Sequence, residues 1–282
     1  MDDRLTDPSR LTAHILGRLN HNGLERCGGG HPATDRLAAS AVLLLLSTCR
    51  SGPGPSSEIC LVLNQRSPQV RQPGDLCCPG GSVAPRVDGA LARLLAWPFL
   101  PLGRWPFWRH WRRERPQAAR FLALCLATAL RESFEEMRLN PLGVRFLGPL
   151  PPERLELFRR RIYPLVAWTP ASHRYRPNWE VQRVVSVPLR ELLDPQRYVR
   201  LAVRLETPPP GPVPVKERIH PAFHLTPGAG TEILWGATYR IVANFLECVF
   251  DFTPPDLERL PQVSTRLGKA YLAGRPAGNR AS

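Results

Sequence analysis

Apolar positions recur along this chain with two different periods, and the points where the period changes divide it into elements. Residues 5 to 20 carry Leu5, Ile15, Leu16 and Leu19 at spacings that predict a short amphipathic helix. Ala38 to Ser47 is an apolar run of strand length. Glu58 to Gln65 reads as its hairpin partner, with Ser51 to Ser57 as a polar tip. Leu76 to Pro79 is extended and runs into Gly80-Gly81. A helical period opens at Pro116, a residue suited to a first turn, and continues to about Met137; Pro141 places its end near Leu139. Strands are predicted at Gly143 to Phe146, Arg161 to Trp168, Val181 to Val187, Arg197 to Glu206 and Val215 to His220, with a single helical turn at Pro188 to Leu193. A second long helix covers Thr238 to Val249, turning Ile241, Val242, Phe245, Leu246 and Val249 to one side. Strands around a central helix, with another helix late in the chain, predict an α/β sandwich on a mixed sheet.

The end of the central helix carries Arg131-Glu132-Ser133-Phe134-Glu135-Glu136. At about 100° per residue, Glu132, Glu135 and Glu136 project from one side, and Leu130, Phe134 and Met137 are expected on the other. Three like charges so close repel unless solvent, Arg131 or a cation compensates them. A hard divalent ion with oxygen ligands, Mg²⁺ or Mn²⁺, is the natural compensator; a solvated acidic face is the simpler alternative.

Composition adds three constraints. The 282 residues suffice for a sizeable core, and 32 prolines break the chain into short elements. A formal charge of +14 favours anionic partners, among them phosphorylated metabolites, nucleic acid and an anionic membrane surface. The start of the chain does not resemble a secretory signal, Ala41 to Leu46 is too short to span a bilayer, and seven scattered cysteines fit a reducing compartment, so a cytoplasmic location is expected. Neighbouring Cys77 and Cys78 would face opposite sides of a strand, and core packing suits them better than redox work.

Together, Pro79-Gly80-Gly81 and Arg131-Glu132-Ser133-Phe134-Glu135-Glu136 resemble the Nudix box. Asn64-Gln65-Arg66-Ser67, Val70-Arg71, Gly74-Asp75, Glu180-Val181 with Val187-Pro188-Leu189, and Trp235-Gly236-Ala237-Thr238 resemble the coenzyme A pyrophosphatase branch of that family. The similarity spans roughly residues 38 to 250, leaving extensions at 1–37 and 251–282. It implies a Nudix-like α/β/α sandwich that hydrolyses a nucleoside diphosphate linked to another group. Glu132, Glu135 and Glu136 would bind the metal, with Glu136 the most direct ligand, and Arg131 would orient a glutamate. Arg66, Arg71 and the Gly80-Gly81 backbone would meet the substrate, coenzyme A or a related nucleotide derivative. The general base would be a box glutamate acting on metal-bound water, or Glu180, with Glu232 a further candidate. Trp235 could stack on a base, although packing suits it better.

The chain departs from the family pattern in four places. The acid expected after the glycines is matched only by Asp88, one position late; Gln72 replaces a histidine; Arg138 replaces a glycine after the paired glutamates. An insertion at about 89–116 holds Trp97, Trp105, Trp108 and Trp111, with Phe99, Phe107 and a cluster of arginines. It is expected to form a lid over the cleft or a homodimer contact, with an anionic membrane surface as the alternative. Tryptophan interleaved with arginine also keeps a nucleic-acid-binding reading open, and a partner-binding protein on a weakened hydrolase scaffold is the third class.

Overall fold

The computed structural model describes residues 5–21, 38–50, 57–155, 160–170, 173–205, 217–226, 231–268 and 271. All but the last residue of the hairpin tip expected at 51–57, the Pro208–Pro212 loop and residues 272–282 lie outside these.

A mixed sheet forms the centre. Its strands are β1 (Ala38–Arg50), β2 (Ser57–Arg66), β3 (Leu76–Cys77), β4 (Gly80–Ser82), β5 (Arg145–Pro149), β6 (Glu153–Leu155), β7 (Arg160–Trp168) and β8 (Val181–Pro188). The main path runs β3-β2-β1-β7-β5; β4 pairs with β1, β6 with β7 and β8 with β2. Only β1 and β7 run parallel here, matching Ala38 to Arg160 through Leu46 to Trp168. Strand alternation sorts β1 between two cores. Leu44 and Leu46 enter one; Ala41, Leu43 and Leu45 enter the other.

The first core is closed by α1 (Pro8–His21) and α6 (Gly236–Phe250), with Leu11, Ile15, Leu19, Val242 and Phe245 buried among the strand residues. α5 (Leu189–Leu192) is the predicted single turn. The second core is closed by α2 (Pro85–Leu95), α3 (Trp108–Glu114) and α4 (Pro116–Met137). Helices therefore cover both faces, as the sequence leads one to expect. A smaller sheet, ordered β11-β10-β9-β12, is added from β9 (Tyr198–Leu205), β10 (Arg218–Leu225), β11 (Glu232–Trp235) and β12 (Gln262–Leu267). β12 lies parallel to β9, so the segment beyond residue 250 is integral to this sheet.

The aromatic insertion is not a lid. Trp105, Trp108 and Trp111 are buried in the second core, and none of the residues lining the cleft described below comes from the insertion. The Trp105 ring lies 5.0 Å from Phe146 of β5, and its indole donates to the Leu147 carbonyl at 3.3 Å. Pro85 and Pro116, at helix starts, open α2 and α4 rather than interrupting them. Cysteine use also differs from expectation: Cys49 and Cys60, on neighbouring antiparallel strands, are joined in a disulfide. Cys78 packs in the first core. Among the described residues no helix is long and apolar enough to cross a membrane.

Because the tryptophans complete a core, Trp105→Ala should cost about 3–5 kcal/mol of unfolding free energy, the usual range for a truncated buried aromatic. Chemical denaturation checks this; an unchanged midpoint would mean that the insertion is an appendage.

Candidate active site

The acidic end of α4 is organised by one guanidinium. Arg131 Nε donates to Asp88 Oδ1 at 2.7 Å, Nη2 to Glu132 Oε1 at 3.0 Å, and Nη1 to both Glu135 oxygens at 3.2 Å. Asp88, from the first turn of α2, is fully buried and also accepts from the Thr128 hydroxyl at 2.6 Å and the Ala84 amide at 2.8 Å. Burial alone would raise its pKa, but these donors hold the carboxyl below its ordinary range. Asp88 thus acts through an ion pair inside the fold that ties the first turn of α2 to Arg131.

Two glutamates flank the Gly80-Gly81 turn. The Gly80 backbone has φ +142°, which favours glycine, and a Cβ there would overlap the Ala41 carbonyl oxygen. A Cβ on Gly81 would lie 2.5 Å from the Glu132 carboxyl carbon, so the missing side chain leaves Glu132 its place. The Gly80 amide donates to Glu136 Oε2 at 3.2 Å, and Asn64 Nδ2 donates to the same oxygen at 2.9 Å. Burial raises the Glu136 pKa to about 8; the Gly80 bond opposes this, while Glu132 and Glu180 add to it. Glu132 is also raised by burial, against the pull of Arg131. Glu135 lies on the outside, exposed and, among the described residues, held by Arg131 alone.

The loop at 173–180 fixes the last carboxylate. Its Arg176 and Asn178 amides donate to the Met137 and Glu136 carbonyls at 2.9 and 2.8 Å, closing the end of α4. The Asn178 side chain accepts the Glu180 amide at 2.8 Å, and the Glu180 carbonyl accepts the Ser67 amide at 2.8 Å. Arg138, where the family pattern has glycine, adopts the left-handed φ of +58° that ends α4, its guanidinium 5.0 Å from the Phe134 ring centre. Phe134 is half-exposed, contrary to its expected inward position, whereas Leu130 and Met137 are buried.

Asn64, Arg66, Cys77, Glu136 and Glu180 line a cleft of about 90 Å³, with Val70 and Val181 as its apolar wall. That is well below the roughly 300–1,000 Å³ of sites that enclose a whole ligand. It suits an ion or one phosphoryl group, with the rest of a longer molecule on the open surface. Burial, together with the Glu136 charge, pushes the Cys77 thiol up to about 12, leaving it a neutral wall residue rather than a nucleophile.

Several expected residues fall elsewhere. Arg71 is exposed and contributes only its carbonyl, which accepts from Arg66 Nε at 2.7 Å. Glu232 is bound by Arg183 and by Gln65 Nε2, the latter at 2.9 Å, and is not part of the cleft wall. Trp235 donates to Asp75 Oδ1 at 3.3 Å, beside Tyr271, which also bonds Asp75. Among the described residues no three His, Cys, Asp or Glu side chains converge closely enough to share a metal ion, so the expected triple of Glu132, Glu135 and Glu136 is not gathered around one point. Asn64 is the site residue whose role the sequence reading missed. The signal was present: on β2, Leu61 and Leu63 face one core and Val62 the other, so Asn64 is a polar residue at a core-facing position.

No protein-family model matches the chain, and no curated protein matches it. Among solved structures it is similar to a Nudix hydrolase from M. smegmatis, RenU, at 15% identity over 55% of this chain and 73% of that one, with a TM-score of 0.33. It is also similar to a C. elegans Ap4A hydrolase in a binary complex (13% identity, 56% and 84% of the two chains, TM-score 0.34). A MutT/nudix family protein from Enterococcus faecalis is a third (11% identity, 87% and 75%, TM-score 0.39). Likenesses this distant carry neither a residue role nor an activity across.

The raised Glu136 pKa has a consequence for stability. The folded state holds that proton more tightly than the unfolded chain, so the Glu136 contribution falls as pH rises from the ordinary carboxylate value through about 8. In chelator-treated protein, Glu136→Gln should remove this decline. It should melt several degrees above the wild type at pH 9 and close to it at pH 5. Matching pH profiles for the two would show that Glu136 is not held in this buried state.

Proposed function

We propose that this chain is a Nudix-type hydrolase that cleaves the pyrophosphate bond of a nucleoside diphosphate linked to a second group, with Mg²⁺ or Mn²⁺ as its cofactor. The observation that carries the reading is the pairing of Glu136 and Glu132 across the Gly80-Gly81 turn, with Glu180 lining the same cleft as Glu136. The residues fit a hard cation. The donors are oxygens, the buried Asn64 Oδ1 atom has no hydrogen-bond partner among the described residues, and burial raises the Glu136 carboxyl to about 8, a cost that a nearby cation would relieve.

Glu132 and Glu136 would hold the ion after their side chains draw together, and Glu135 would join through a change of rotamer away from Arg131. When bound, the ion lowers the pKa of water and neutralises charge growing on the phosphoryl oxygens. The protein's own residues would do the rest. Glu136 gives up its proton on loading, so binding favours higher pH. Arg131 keeps Glu132 directed at the glycine turn. Arg66, positioned by the Arg71 carbonyl, offers its remaining donors to a phosphate. Glu180 lines the cleft with Glu136 without belonging to the helix that carries the box, and is the candidate to take the proton from attacking water. Val70 and Val181 keep one side of the cleft dry. Coenzyme A or a related derivative is the substrate proposed first, on the residues around Arg66, Gly74 and Trp235 that resemble that branch.

A panel of coenzyme A, dinucleotides and nucleotide sugars, incubated with Mg²⁺ or Mn²⁺ and separated by chromatography, tests the reading. Release of adenosine 3′,5′-bisphosphate and 4′-phosphopantetheine supports the coenzyme A assignment; a much higher kcat/KM on another dinucleotide moves the substrate but keeps the class. Glu136→Gln should lower kcat about 100-fold or more, the scale of a lost transition-state electrostatic contact. Activity that survives both chelation and this substitution would overturn the mechanism.

A further inference from the structure

We infer that the outer face of α2, together with the turn that follows it, docks onto an anionic lipid surface. On α2 the buried residues Asp88, Ala92 and Leu95 mark the inner face. At about 100° per residue, Val87, Ala90 and Leu94 fall on the outer side, and continuing the same step brings Trp97 onto that strip. Val87, Leu94 and Trp97 are 61, 42 and 62% exposed, and Phe99, just past the helix, is 81% exposed. This makes α2 apolar on both sides, and solvent alone gives no reason for the outer one.

The turn holds these rings out firmly. Leu100 N bonds the Trp97 carbonyl, Leu102 N and Gly103 N share the Leu95 carbonyl, and Arg104 N bonds the Leu100 carbonyl, all at 2.9–3.1 Å. Buried Leu102 and Trp105 anchor it beneath. Two aromatic side chains are thus presented on a fixed backbone rather than on a loose loop, which lowers the ordering cost of insertion.

The surrounding charge selects the occupant. Residues 85–120 contain eight arginines against two acids, and of those acids Asp88 is buried and Glu114 is paired with Arg113. Arg86 and Arg93 border the apolar strip, and α3, in the same layer, turns Trp108 and Trp111 inward and Arg109 and Arg112 outward. These four arginines are exposed and make no ion pair among the described residues. Tryptophan at headgroup depth with arginines against anionic headgroups is the chemistry of a peripheral membrane contact. A second copy of this chain would bring the same positive charge to the contact, and a nucleic acid would leave the aliphatic strip of Val87 and Leu94 without a partner.

Flotation of the full chain with vesicles tests this, using phosphatidylglycerol–phosphatidylcholine mixtures against pure phosphatidylcholine across a salt series. The wild type should float with the anionic vesicles only. The charge-preserving variant W97S/F99S should bind about 10-fold or more weakly, with its residual binding removed by salt. R93Q/R109Q/R112Q, with its aromatics intact, should also lose binding. All these positions are exposed, so thermal midpoints should stay at the wild-type value and separate a docking defect from a folding one. The inference is overturned if the wild type ignores anionic vesicles, or if W97S/F99S floats as the wild type does. Loss of a dimer in W97S/F99S, by sedimentation velocity and without a change in flotation, would assign the face to a second copy. Arginine-dependent binding of RNA without vesicle binding would assign it to nucleic acid.

Discussion

A carboxylate with no access to water must find its compensation inside the protein, and Asp88 finds it in Arg131. That requirement ties α2 to the far end of α4, because Arg131 directly precedes Glu132 and sits about one turn before Glu135 and Glu136, while Asp88 sits in the first turn of α2. The same guanidinium spends its remaining donors on Glu132 and Glu135, so the acids cannot be placed independently of the ion pair. Taking away Arg131 would leave Asp88 charged and buried without a cation, at a cost of about 3–5 kcal/mol. The Thr128 hydroxyl and the Ala84 amide complete the shell around Asp88 and leave little freedom in how the two helices meet.

The insertion becomes intelligible from the same constraint. Once α2 is pinned against α4, the chain must travel from Leu95 back to Pro116 without leaving that layer. Trp105, Trp108 and Trp111 fill the space along this return path, against Phe146 and the apolar side of α4. An element that looks like an addition to the fold in sequence thereby becomes part of its core in space.

Those parts of the structure that depend on local period were legible in the sequence. The long α4, the late helix and the strands β1, β2, β7 and β8 have apolar patterns that bury them wherever they lie. The helices α2 and α3 were not legible, because their prolines and arginines read as an irregular segment and their burial depends on how they pack against α4. β12 escaped for a related reason: every second residue is only half covered, and its partner β9 is about sixty residues earlier. In the site, Glu132 and Glu136 follow from helical spacing alone. The outward turn of Glu135 does not, since it is decided by which donors Arg131 has left after Asp88. The Cys49–Cys60 bond likewise depends on hairpin register, which composition does not contain.

Beyond Tyr175, whose ring packs against the second core, the loop at 173–180 is held mainly through main-chain atoms: amides of Arg176 and Asn178 on the end of α4, and the Glu180 carbonyl on Ser67. Apart from Asn178, none of these bonds depends on which side chain is present. Arg174, Arg176 and the exposed Trp179 can therefore be exchanged without moving the carboxylate that follows them. Over evolutionary time this separates two rates of change, letting the rim of the cleft drift from one molecular preference to another while the acids beneath it remain where they are.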